Sequence, residues 1–147
     1  IAGRVLQPWH VDGSRPFDRL ASDDAGFVPE FIGCNFSVDR RIAIQIGGFD
    51  ERFVRVAYRY EAEFGWRAMQ RGFRIRFAPA ACIHHLKADS GGTRSFGHHL
   101  RTLMPAHTVG QYYFLLRVRP AGWIGQVLLA PIRAVTTRFH LRRPWWM

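Results

Sequence analysis

The sequence predicts an α/β fold, and three observations carry that reading. The stretch "FRIRFAP" alternates strictly, placing Phe73, Ile75 and Phe77 on one face and Arg74 and Arg76 on the other, which is the period of a strand. Just before it, Glu61 to Arg71 has helix-forming composition, with glutamates in the first turn where the helix dipole favours them and Gly72 as a natural C′ residue. Strand and helix alternate without internal repeat or low-complexity tract, as in an α/β layer.

Taken in chain order, residues 1–30 are rich in Pro, Gly and Asp and read mostly as loop, with one short strand at the start. The Asp23-Asp24 pair reads as a solvated turn. Phe31 to Val38 suits a short buried strand, Asp39 an N-cap, and Arg40 to Ile46 a short helix stopped by Gly47 and Gly48. After the helix and the alternating strand, a second short strand, Ala81 to His85, is expected beyond a turn at Pro79. From His98 onward the chain reads as helical and basic. An apolar run over Gly122 to Phe139 is interrupted by Pro131 and Arg133 and falls short of the roughly 18–20 apolar residues of a spanning helix. Trp123, Trp145 and Trp146 among arginines fit an interfacial helix, and an ordinary helix pair packed on the domain fits equally well.

At 147 residues, 48% of them apolar, the chain is long enough to build one modest domain with a real core. It begins "IAGRVLQPWH", without methionine or a secretory leader, and reads as a piece of a longer protein. Cys34 and Cys82 have no CxxC spacing, which argues against a disulfide framework or zinc knuckle and fits a reducing compartment; both are expected to be buried. The net charge of +10 is almost entirely arginine, with Lys87 the single lysine. All eleven acids lie at or before Asp89, whereas residues 90–147 carry eight arginines and no acid, so that half should seek a polyanion. Nucleic acid is the weaker choice, because helix-turn-helix spacing, zinc motifs and an aromatic sheet signature are all missing.

The chemistry-bearing groups are few. Glu61 and Glu63 stand two apart, so on a helix they diverge, which disfavours a paired-carboxylate hydrolase built on these two alone. One glutamate can still act alone as a general base, kept ionised by the helix N-terminus; capping is the competing role. His84 and His85 alternate across a strand, so only one can face a given site, and one histidine does not make a metal centre. The loop "KADSGGTR" that follows, with Lys87 and Arg94, can fold over phosphates.

Read together, "GCNFSVDRRIAIQIGGFDERF" and "YEAEFGWRAMQRGFRIRFAPAACIHH" resemble the second half of the catalytic domain of family 2 glycosyltransferases of GT-A fold. In that family a G-x-N strand, an arginine-bearing helix, G-G-F-D-E, an E-D-x-D/E helix start, R-x-x-x-x-G and a P-x-A-x-x-x-H strand come in this order. The resemblance covers about Phe31 to Arg94, with "GRVLQPW" matching more loosely. It implies a partial GT-A, Rossmann-like nucleotide-diphospho-sugar transferase domain over 1–97, followed by a basic helical extension over 98–147.

By position, the resemblance puts the catalytic aspartate on Glu61 and the preceding acid on Tyr60. Both are departures, since glutamate reaches one methylene further and tyrosine carries no carboxylate. Glu63 would support the acceptor side or the helix cap, Asp50 and Glu51 the turn shaping the acceptor cleft, and Gly33 and Asn35 the sugar pocket. Arg94 would reach phosphate, and His85 the metal and diphosphate. The implied reaction is inverting transfer from a nucleotide-sugar donor to a saccharide or lipid-linked acceptor, of the kind that builds cell-envelope polysaccharide. A Mg or Mn ion, held mainly by residues outside this chain, is the implied cofactor, and the cytoplasmic face of the membrane the implied location. A non-catalytic membrane-associated relative, with the changes at Tyr60 and Glu61 marking lost activity, is the alternative.

Overall fold

The computed structural model describes residues 1–15, 18–88, 95 and 106–146. The chain divides into two compact units, the first formed by Ile1–Asp50 and Glu61–Ala88, the second by Glu51–Tyr60 and Asp89–Met147. It is of mixed α/β type, as the alternation of strand and helix predicts.

The first unit holds a three-stranded sheet in the order β1-β3-β2, with β1 at Ala2–Leu6, β2 at Gly26–Val28 and β3 at Ile75–His84. β1 runs parallel to β3, and β2 antiparallel to it. The alternation read from "FRIRFAP" holds: Phe77 is fully buried, Ile75 half-buried, and Arg74 and Arg76 exposed. Two short helices lie between the strands, α1 (Pro8–Val11) and α2 (Arg40–Gln45). Asp39 caps α2 as expected, accepting from Arg41 N at 2.7 Å, and Gly47 and Gly48 take the positive φ that ends it. α3 spans Tyr60–Gln70 and presses Phe64 and Ala68 into a core with Ala2, Val28, Phe31, Ile46 and Phe77. Gly72, at φ 81°, follows it.

Three expectations need correction. Phe31 to Val38 is not a strand, because Gly33, Cys34 and Asn35 turn the chain, closed by Asn35 N to Ile32 O at 2.9 Å. Only Phe36 bridges to Ala2. Secondly, Pro79 does not divide two strands. β1 pairs Gly3 with Ala78 and then Arg4 with Cys82, so Pro79, Ala80 and Ala81 form a bulge within one continuous β3. A bulge asks for no ladder N–H, which is why proline fits there. Finally, Cys34 and Cys82 are both exposed, on the turn and on the far half of β3.

In the second unit, α4 (Ala106–Val118) and α5 (Trp123–Val135) pack as a hairpin. A single turn of helix, α6 (Arg138–Leu141), and a 3₁₀ turn at Pro144–Trp146 follow. The segment Glu51–Tyr60 lies against α4: Phe53 meets Tyr113 edge-on at 4.9 Å, and Arg59 Nε donates to Gln111 Oε1 at 3.0 Å. Arg55, Ala57 and Arg59 all adopt left-handed backbone. Gly110 is what allows the close approach, since a Cβ there would stand 2.2 Å from the carbonyl oxygen of Tyr58. The helical character read from His98 onward holds over the described residues. None of their helices is long and apolar enough to cross a membrane.

Candidate functional site

Glu61 sits in the first turn of α3, half-buried, and its Oε1 accepts a hydrogen bond from Gly33 N at 3.3 Å. The structure thus joins the predicted base to the turn predicted to line the sugar pocket. That turn is itself fixed by Asn35, whose Nδ2 donates to Arg4 O at 2.8 Å and to Ala81 O at 2.7 Å. Ala81 belongs to the bulge, so the Asn35 amide binds both strands where the β1–β3 ladder is interrupted. It lies so close over β1 that a Cβ on Gly3 would stand 2.3–2.5 Å from its side-chain atoms. Asn35 is therefore a structural pin within a site turn.

Cys34, between them, is exposed, yet neighbouring protein atoms crowd its sulfur and push its thiol above the ordinary value; the nearby negative charge of Glu61 pushes the same way. A hydrogen bond with its own backbone works in the opposite direction without cancelling them.

Glu63 has a different surrounding from Glu61, two residues away on α3. It is fully buried, and its Oε1 accepts from Arg67 Nε at 2.7 Å. Arg67 also donates through Nη1 to Ile46 O at 2.6 Å and through Nη2 to Gly48 O at 2.7 Å. One guanidinium thereby satisfies carbonyls at the C-terminal end of α2 and holds the Gly-Gly turn. Glu63 is thus enclosed within the unit and tied to Arg67. The divergence of i and i+2 around a helix explains why two similar acids part so completely.

The carboxyl ends of the parallel strands β1 and β3 form a second cluster. His85 N donates to Leu6 O at 2.8 Å, and His85 Nδ1 lies 3.1 Å from Gln7 Oε1, which sets the plane of the imidazole. Lys87 Nζ stands 3.7 Å from the centre of the Trp9 ring and Arg15 Cζ 5.1 Å from it. Carboxyl ends of parallel strands are where α/β sheets commonly bind ligands. For Gln7 and Trp9 the sequence signal is the "GRVLQPW" stretch; Arg15 lies outside it. His84 is exposed.

Asp50 closes the first unit, Glu51 opens a segment of the second, and Arg94 lies outside the described residues. A cavity of about 320 Å³ lined by Phe31, Phe36, Val38, Ile42 and Phe73, among others, touches none of the predicted site residues. Among the described residues no three His, Cys, Asp or Glu side chains gather as a metal-holding group. No family model, no curated protein and no solved structure matches the chain.

Proposed function

We propose that this chain is the acceptor-side part of a glycosyltransferase of the family 2, GT-A type, with Glu61 as the base. One observation carries the reading: the Glu61 carboxylate, at a helix N-terminus, is held by the Gly33 amide on a turn pinned to the sheet by Asn35. A hydrogen bond to one oxygen orients the carboxylate, and the helix N-terminus favours its charged form.

In the proposed reaction the Glu61 carboxylate takes the proton of an acceptor hydroxyl. The hydroxyl oxygen forms a bond to the anomeric carbon while the bond from that carbon to the nucleoside diphosphate breaks, giving inversion. The cationic and aromatic cluster of Trp9, Arg15, His85 and Lys87 suits the negative charge that leaves. A divalent cation, when bound, would share in neutralising that charge; its other ligands would have to come from outside the described residues.

The test supplies the full-length protein with nucleotide sugars, Mg or Mn, and candidate acceptors. Acceptor-dependent release of nucleoside diphosphate with an inverted product is expected; retention of configuration, or no release with any donor, contradicts the reading. The isolated 147-residue chain should bind nucleotide sugar weakly or not at all, and saturable submillimolar binding by calorimetry would count against it.

A further inference from the structure

We infer that the outer face of α5, together with the arginine-rich end of the chain, lies on an anionic lipid surface. Ile124, Leu128 and Ile132 recur at i, i+4 and i+8, so they line one face of α5, with Leu129 beside them. These four side chains are between 44% and 68% exposed. The other side of the helix, carrying Trp123, Gln126, Val127 and Ala130, is half-buried, and α5 packs with α4. The apolar face is therefore what remains after the hairpin has closed.

The charge of the same stretch of chain identifies its occupant. Arg117, Arg119, Arg133, Arg138, Arg142 and Arg143 are all exposed, and residues 90–147 contain no acid to neutralise them. Arg119 Cζ lies 5.5 Å from the Trp123 ring, and Trp145 is 75% exposed beside the last two arginines. Exposed leucine and isoleucine in a stretch whose formal charge is all positive match a headgroup boundary: apolar side chains enter the acyl region, arginines meet phosphate, and the exposed indole of Trp145 suits the level between. The 13 residues of α5 span about 20 Å, short of the roughly 30 Å of a bilayer core, so the helix lies along the surface. A second copy fits less well, because symmetric pairing of this face would bring like charges together. Nucleic acid fits less well too, because aliphatic side chains gain nothing from phosphates and cannot stack on bases as rings do. The inference is independent of the proposed enzymatic role.

The test is co-sedimentation of the full chain with phosphatidylcholine vesicles, with and without about 30% phosphatidylglycerol. The chain should sediment with the anionic vesicles and stay in solution with the neutral ones. The pair L128E/I132E should weaken that binding about tenfold per residue. I44E, a change at a residue 64% exposed on α2, should bind as the wild type does. If the glutamate pair fails to fold, L128S/I132S provides the same reading with a smaller loss. Equal binding to neutral vesicles, wild-type binding by the α5 variants, or an equal loss in I44E overturns the inference. So does a lipid-free dimer that the α5 variants dissociate, which would assign the face to a second copy.

Discussion

Two helices of the molecule treat their side chains in opposite ways. In α3 a glutamate and an arginine are turned inward, Glu63 fully buried and Arg67 nearly so, and their bonds hold the end of α2 and the Gly-Gly turn. In α5 it is leucine and isoleucine that face outward. Each arrangement costs stability relative to the usual one, since buried charge loses hydration and exposed apolar surface orders water. The contrast teaches where each unit needs definition. The first uses buried polar contacts to fix the end of α2 and the turn after it; the second leaves an apolar face exposed.

The comparison is broken most forcefully at Arg67. Arg67→Met keeps the volume but leaves Glu63 buried without its guanidinium, and should cost about 3–5 kcal/mol in urea unfolding. A loss under about 1 kcal/mol would mean that the clamp is dispensable. Smaller by about half is the effect expected at the Asn35 pin. Asn35→Ala removes two hydrogen bonds to strand carbonyls, and Gly3→Ala forces a methyl into the Asn35 amide; each should cost about 1–3 kcal/mol. Their effects should be far from additive, because both act on one contact, and a double variant as unstable as the sum of the two would contradict the packing described. On α5, L128E/I132E should shift stability by no more than about 0.5 kcal/mol while lipid binding falls, whereas a large loss of stability would show that the face is part of a core.

The smallest effect is chemical. Crowding and the charge of Glu61 raise the Cys34 thiol, so at pH 8 it should alkylate more slowly than an unhindered cysteine, tested with Cys82 replaced by serine. Raising the pH restores the thiolate and should close the gap. Glu61→Gln removes one of the two causes that raise the thiol, so the pH at which alkylation accelerates should fall; an unchanged profile would separate Cys34 from Glu61 electrostatically.

How much of this was legible in the sequence depended on how local each feature is. The Asp39 cap, the glycines after α2 and α3, and the alternation around Phe77 are short-range signals, and they held. The Phe31–Val38 segment failed because its apolar residues look like a strand while Asn35 spends its side chain on Arg4 and Ala81, 31 and 46 residues away. The bulge at Pro79 is likewise defined by β1, not by its own neighbours. Both cysteines are exposed because a small thiol signals burial only on average, and a turn and an outer half-strand are exceptions. In the site, the i,i+4 spacing of Glu63 and Arg67 was visible, but that the pair faces inward was not.

Of the two α3 glutamates, Glu61 is the one proposed to work on a substrate. The most direct measurement is sugar transfer by the full-length protein and its Glu61→Gln variant. Glutamine can still accept from the Gly33 amide, so the turn should survive while the base is lost. Transfer should fall by about 10²–10⁴-fold with donor binding retained. Transfer at the wild-type rate would contradict it and leave Glu61 as the support of a turn.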